Sequence, residues 1–379
     1  MNIKLILEKT ALWHILRKIR LLPTEWRKRK YEKRFDGKPF TPSMQDEIKK
    51  IIKKRRDIYF HNEKTARKIT DNWQGELKKP NGLRFIENAI PVVMSANENF
   101  VPYMAVMLQS LLDYSNPDRK YHFIIFERDF SDETKDYLIK QVAGFDHCKI
   151  DFVNTKGAFE EIPIASPKDF HFSIDTFSRL FIPYWLDNYP KVIYCDGDMI
   201  AKADIGELYD IDIQDSPMAA SIATSVRMCF LKSNYTSLIS STPAYLLLKN
   251  WSQYFSGGLL VFNIHKFLKV ISYQELFKFA IYFTNRYRKH YVDQDVLNFL
   301  IKNEYFHLPQ EWNYEWHYPS ENGQSWQVND PNIKIIHFSG NIKPWNNCPE
   351  MENNAIALSY REYAKSIPIY NERIELFDK

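Results

Sequence analysis

Hydrophobic positions follow two regimes along this chain. In the first eighty residues, apolar and basic positions interleave at helical spacing. Ile3, Leu5, Ile6, Leu7, Leu12, Trp13, Ile15, Leu16, Ile19, Leu21 and Leu22 are mixed with Lys9, Arg17, Lys18 and Arg20. Pro23 breaks the run, a basic stretch from Trp26 to Arg34 follows, and a second helical pattern extends from Met44 to about Thr70. Lys79-Pro80-Asn81-Gly82 has turn chemistry and marks a boundary. Beyond it the pattern becomes short unbroken apolar runs separated by helical spacing. Ala89 to Ser95 predicts a buried strand ending in the polar loop Ala96-Asn97-Glu98-Asn99. Phe100 to Tyr114 predicts a helix with Val101, Ala105, Leu108 and Leu112 on one side. Tyr121 to Phe126 predicts a second strand, Ser131 ahead of Glu133-Thr134 a helix N-cap, and Lys149 to Val153 a third strand. Strands alternating with helices predict an α/β layer with a mostly parallel sheet. Ligands bind such sheets at the carboxyl ends of strands, so the loop after Met94 is a candidate site.

Composition narrows the class. The chain has 379 residues, 45% hydrophobic and 15% aromatic, which suffices for a sizeable core and excludes wholesale disorder. No run approaches the length of a membrane-spanning helix. The apolar start carries Lys4, Glu8 and Lys9 without a small-residue cleavage site, so no signal peptide is expected. Cys148, Cys195, Cys229 and Cys348 are scattered, which suits a reducing compartment better than a zinc site or disulfide framework. Charge is uneven. Residues 1–90 hold 24 Lys and Arg against 11 Asp and Glu, a net +13, while the remainder hold 27 against 36, a net −9. A basic helical segment with Trp flanks fits an anionic membrane surface through residues 1–70. Docking of its apolar stripe on the rest of the protein is the alternative, and nucleic acid is not the expected partner. No G-x-G-x-x-G or Walker loop follows the first strand, which argues against a dinucleotide or P-loop mode.

The sharpest local signal is Val192-Ile193-Tyr194-Cys195-Asp196-Gly197-Asp198. An apolar strand delivers two carboxylates, one small residue apart, to its carboxyl end. Such a pair can share Mg²⁺ or Mn²⁺, and these ions also grip phosphates. Two enzyme classes place D-x-D after a strand. One is the haloacid-dehalogenase type of phosphatase, where Asp196 would be the nucleophile. The other is the nucleotide-sugar transferase, where the pair holds a metal on a diphosphate.

Six segments, in order, resemble glycosyltransferase family 8, which includes bacterial lipooligosaccharide galactosyltransferases and is related to glycogenin. They are Val93 to Phe100, His171 to Leu180, Ile193 to Asp198, Tyr254 to Asn263, Asp293-Gln294-Asp295-Val296-Leu297-Asn298, and His337-Phe338-Ser339-Gly340-Asn341-Ile342-Lys343-Pro344-Trp345. The resemblance implies a GT-A fold, Rossmann-like, over residues 86–345. It would be flanked by a basic, mostly helical extension over 1–85 and an aromatic helical tail over 346–379, packed on or beside the catalytic domain. It also implies a retaining transferase that moves galactose or glucose from a UDP-sugar to a glycan or glycolipid, in lipopolysaccharide or capsule synthesis at the bacterial cytoplasmic face.

Residue by residue, the resemblance implies a Mn²⁺ (or Mg²⁺) site of Asp196, Asp198 and His337. Ser95, Ala96, Asn97 and Asn99 would line the uridine pocket, and Arg179, Asp196, Gly197, Ser256, Gly257, Gly340 and Lys343 would hold the rest of the donor. Lys343 is a point charge suited to the diphosphate. Gln294 and Asp293 would face the donor sugar as the catalytic pair, and His171 would line the acceptor site. A glutamine amide is a poor nucleophile, which favours front-face attack by the acceptor over a covalent sugar. Two positions depart from the pattern: Asn97 where the family often has Asp, and Ser256 where it usually has Asn. A sugar-nucleotide-binding scaffold without turnover is the non-enzymatic alternative.

Overall fold

The computed structural model describes residues 63–377 apart from 76, 159–173, 225–252, 288–291, 302–303, 317–330, 341–342, 347 and 353. The amphipathic pattern before residue 63 and the acceptor-side His171 therefore lie outside the described residues.

The strands are β1 Ala89–Ser95, β2 Lys120–Glu127, β3 Cys148–Asn154, β4 Lys191–Cys195, β5 Met199–Ala201, β6 Met218–Ile222, β7 Phe255–Asn263, β8 Phe306–His307, β9 Tyr314–Glu315 and β10 Ile335–His337. The main sheet runs β3-β2-β1-β4-β7-β6-β8. β1, β2, β3 and β4 are mutually parallel, whereas β7 is antiparallel to both β4 and β6. The order reverses at β1, with β2 and β3 on one side and β4 on the other. That reversal opens a crevice beyond the carboxyl ends of β1 and β4.

Helices cover both faces, which is why the central strands read as unbroken apolar runs. α1 Val101–Asp113 packs one face, with Met104, Leu108 and Leu111 buried. α2 Asp132–Val142 starts where the Ser131 hydroxyl accepts from the Thr134 amide at 3.1 Å, as its N-cap chemistry predicts. The other face carries α3 Ser178–Trp185, α4 Tyr273–Tyr287 and α5 Val292–Ile301, which bury Leu180, Phe181, Leu276, Phe277 and Leu297. A helix over residues 63–72 lies on α4: Ala66 is buried, Glu63 pairs with Arg286 at 2.9 Å, and Trp73 meets Phe277 at 4.8 Å. At the other end α6 Ala355–Ala364 and α7 Pro368–Phe377 bury Tyr360, Ile369 and Tyr370 in the core cluster built around α1. Among the described residues no helix is long and apolar enough to cross a membrane.

A second, three-stranded sheet, β5-β10-β9, stands beside the crevice. β10 runs antiparallel to β5 with His337 opposite Met199, and parallel to β9 with His337 opposite Glu315. This small sheet carries a residue from late in the chain to the strand that follows the paired carboxylates.

Candidate active site

β4 ends at Cys195, and the next three residues turn into β5. Gly197 at the centre of this turn packs tightly: a Cβ there would stand 3.1 Å from both Met104 and Phe100. The small residue between the aspartates thus lets the turn lie against α1 and the loop after β1. The Asp196 amide donates to the Gly258 carbonyl at 2.8 Å, and the Phe338 amide donates to the Asp198 carbonyl at 2.9 Å. Backbone bonds therefore lock the turn between β7 and β10.

Asp196, Asp198 and His337 each offer a ligand atom, and these atoms lie within 4.8 Å of one another. His337 Nε2 is 3.3 Å from Asp198 Oδ1. Its other nitrogen, Nδ1, lies 3.0 Å from Oδ1 of the fully buried Asn313. With that amide oxygen as acceptor, Nδ1 carries a proton, which leaves Nε2 as the nitrogen that can offer its lone pair to a cation beside the carboxylates. Gly258 closes the cradle: a Cβ there would fall 2.4 Å from His337 Cε1 and 3.0 Å from Asp196 Oδ2. Against the effect of burial, Asp198 raises the pKa of the His337 ring and so favours a proton on Nε2. A divalent cation such as Mn²⁺ would take the place of that proton. The two carboxylates with the oriented imidazole form a mixed oxygen and nitrogen set that fits it.

The carboxylates also hold cations of the chain itself. Lys343 Nζ is 2.6 Å from Asp198 Oδ2 and donates to the Phe338 carbonyl at 2.6 Å. Arg179 grips Asp196 with both terminal nitrogens, at 2.9 and 3.5 Å. Its Nε lies 2.9 Å from Asp293, its Nη1 donates to the Gly257 carbonyl at 2.6 Å, and its plane covers the Tyr194 ring at 4.7 Å. Burial pushes the Asp196 carboxyl up against the pull of Arg179. At Asp198 burial is overcome by Lys343 and His337, which hold the carboxyl well below the usual range. One aspartate is thus strongly anionic beside the other, an asymmetry set by which cation each one meets.

The predicted donor residues line the same crevice in part. The Ser95 hydroxyl accepts from Ser178 at 3.0 Å, and the Ala96 amide donates to the Phe126 carbonyl at 3.2 Å. Asn97 Oδ1 accepts from the Phe100 amide at 3.1 Å, capping the turn that leads into α1, while Asn99 is exposed. Phe100 and Tyr103 gather against Trp345, with Tyr103 stacked on it at 4.1 Å, so the end of the Lys-Pro-Trp motif rests on the start of α1. Gly340 has φ of 101°, a left-handed backbone that suits glycine and bends the chain between His337 and Lys343. Ser256 is buried on β7.

At the start of α5, Gln294 Oε1 accepts from the Gly257 amide at 2.7 Å and its Nε2 donates to the Tyr254 hydroxyl at 3.0 Å. Asp293 is buried against Arg179, so this guanidinium ties the D-x-D turn to the first turn of α5. The motifs predicted as separate donor contacts are thereby one bonded cluster. Sequence reasoning missed Asn313, whose signal is a lone amide in an irregular turn with no motif around it. It quoted Tyr254 and Asn298 within motifs without giving either a task, yet Asn298 bonds both the amide and the carbonyl of Phe255 at 2.9 Å.

Comparison with known proteins gives the family and the fold. The lipopolysaccharide 1,3-galactosyltransferase of Salmonella typhimurium is 25% identical over 274 residues, covering 67% of this chain and 72% of that protein. The crystal structure of galactosyltransferase LgtC with donor and acceptor sugar analogs superposes with a TM-score of 0.54 and 22% identity, over 73% of this chain and 96% of that one. The bifunctional glycosyltransferase WbbM superposes with a TM-score of 0.63 and 23% identity, over 80% of this chain and 54% of that one, so the present chain spans about half of it. The shared architecture is the GT-A fold. The family model described as glycosyl transferase family 8 matches residues 91–348, about two thirds of the length and every described motif of the cluster; this chain belongs to that family.

Proposed function

We propose that this enzyme moves galactose or glucose from a UDP-sugar to a glycan or glycolipid acceptor, with retention at the anomeric carbon. The observation that carries the reading is the meeting of Asp196, Asp198, His337 and Lys343 in the crevice beyond β1 and β4. A Mn²⁺ or Mg²⁺ ion held by Asp196, Asp198 and His337 would supply Lewis-acid stabilisation of the leaving diphosphate. Lys343 adds a mobile point charge for the same phosphates. The loop from Ser95 to Asn99 takes the uridine, and Asn97 can offer its amide to the uracil edge.

Gln294 and Asp293 face the donor sugar in this reading. Gln294 already shares its oxygen with the Gly257 amide, which makes it a fixed hydrogen-bonding group and a still poorer nucleophile. Front-face attack by the acceptor hydroxyl, with the departing phosphate taking the proton, needs no carboxylate nucleophile. Arg179 acts from behind, holding Asp196 and Asp293 in register. The phosphatase alternative needs Asp196 free to attack phosphorus and leaves His337 idle. Asp196 is instead clamped by Arg179, and His337 sits against its partner.

The names of the lipopolysaccharide transferases it is similar to support a role in lipopolysaccharide assembly. Capsule synthesis, the cytoplasmic face and contact of the basic segment with anionic lipid extend that reading. The contact is confined to residues ahead of the helix over 63–72, which packs on α4. Co-sedimentation with phosphatidylglycerol vesicles but not phosphatidylcholine vesicles, at physiological salt, tests that placement. The reaction is tested by UDP release from UDP-galactose and UDP-glucose, with and without Mn²⁺. Mn²⁺-dependent release from one donor is expected. UDP binding without any release would favour the scaffold, and release of inorganic phosphate from phosphate esters would favour the phosphatase.

A further inference from the structure

We propose that Tyr254 and Asp295 are positioning residues that fix the Gln294 carboxamide in one orientation for sugar transfer. The inference rests on the transferase reading above, but its evidence is a chain of hydrogen bonds that needs no ligand. Gly257 N–H lies 2.7 Å from Gln294 Oε1. A backbone N–H only donates, so the atom it meets must be the amide oxygen, and the amide nitrogen must point the other way. There Nε2 meets the Tyr254 hydroxyl at 3.0 Å. That hydroxyl has one proton, and Asp295 Oδ1 waits for it at 2.7 Å. The direction of every bond is therefore set: Gln294 to Tyr254, and Tyr254 to Asp295.

Tyr254 and Asp295 are buried, so neither end of the relay has water as a ready substitute. Burial pushes the Asp295 carboxyl well above its usual range, yet either protonation state leaves an oxygen to accept from Tyr254. The supports are equally fixed. Asn298, one helical turn after Gln294, bonds its carbonyl at 3.0 Å and clasps Phe255 on β7. A Cβ on Gly257 would come within 3.3 Å of Gln294 Cβ, so strand and helix already touch. Asp295 in this arrangement is an acceptor for tyrosine and not a nucleophile.

The experiment compares Tyr254→Phe, Asp295→Leu and Asp295→Asn with the native enzyme. Steady-state UDP release with Mn²⁺ and UDP-hexose gives kcat and KM, calorimetry gives UDP affinity, and thermal denaturation checks the fold. Tyr254→Phe and Asp295→Leu should lose at least about tenfold in kcat and keep UDP affinity within about twofold. Asp295→Asn retains an oxygen for the Tyr254 proton and should recover most of that loss. Native kcat in Tyr254→Phe overturns the proposal. So does an Asp295→Asn variant as slow as Asp295→Leu, which would give the carboxylate a direct chemical part. A second readout is independent of turnover: with ¹⁵N-glutamine labelling, the Gln294 carboxamide should exchange its inner proton slowly in the native protein and rapidly in Tyr254→Phe. Equal exchange in both overturns the proposal even if no UDP-sugar is turned over, whereas a native protein without turnover fails the transferase reading alone.

Discussion

The two halves of the crevice are built on different physics. The D-x-D half gathers Asp196, Asp198, His337 and Lys343 from a turn, a short strand and a loop, and holds them by ion pairs. The half at the start of α5 takes Asp293, Gln294 and Asp295 from one helical turn and holds the glutamine by hydrogen bonds to β7 and to Tyr254 just before it. Ion pairs between flexible side chains can be exchanged for pairs with a charged ligand, because one charge replaces another. A buried neutral relay has fixed donors and acceptors and leaves no such freedom. The first half is suited to seize a charged group, the second to keep an uncharged one in a set pose. Arg179 belongs to both, with Asp196 at one side of its guanidinium and Asp293 at the other.

The largest test of this contrast is Asp198→Ala. It removes the carboxylate that meets both His337 and Lys343, and turnover should fall at least about a thousandfold. UDP release at saturating Mn²⁺ measures it, and retention of a tenth of native activity would sink the metal-site assignment. Lys343→Ala should act on charge alone. UDP affinity should weaken about tenfold to a hundredfold, with an unchanged melting temperature. Calorimetry at two salt concentrations decides, and an affinity equal to native would show that Lys343 does not reach the diphosphate.

Asn313→Leu probes the support behind His337. Loss of the partner that fixes the Nδ1 proton should weaken Mn²⁺ about tenfold. Free Mn²⁺ read by paramagnetic resonance without any donor reports the change directly, and unaltered binding would remove Asn313 from the site.

The smallest expected effect lies in the scaffold, and it separates fold from site. His122 on β2 is buried between Asp151 at 2.9 Å and the Tyr189 hydroxyl at 2.7 Å. Burial, outweighing Asp151, lowers its pKa from the ordinary 6.5. The folded state then resists a proton that the unfolded chain accepts, so stability is full above pH 6.5 and declines as pH falls below it. The loss approaches about 1 kcal/mol per pH unit, and His122→Gln should flatten it. Parallel melting curves for the two proteins across that range would expose any other origin of acid sensitivity.

Much of this was legible in the sequence, for identifiable reasons. β1, β2 and β4 are covered on both faces, so each appears as an unbroken apolar run that no surface element mimics. The D-x-D turn stands out by its place after an apolar strand, whereas His337 and Lys343 are legible only together, through the spacing of the motif that runs from His337 to Trp345. Strand direction was less visible: the run from Phe255 to Asn263 is as apolar as β4, and nothing in its period shows that it runs antiparallel. Arg179 was legible as a functional charge, but its engagement with Asp196 and Asp293 depends on three elements meeting. Asn313 left no trace at all, since one amide 24 positions before His337 acquires meaning only when β9 and β10 pair.

Gly258 has a consequence for mutational tolerance. The space between its α-carbon and the His337 ring holds a hydrogen atom and nothing larger. At neighbouring Gly257 the nearest contacts, with Arg179 and Gln294, lie at 3.2 Å and beyond, so a methyl group there would crowd its neighbours by a few tenths of an ångström rather than overlap them. In a saturation library scored by UDP release, position 258 should therefore accept only silent codons, while alanine at position 257 should keep part of the native activity. Two adjacent glycines that look interchangeable in the sequence would evolve under opposite degrees of freedom.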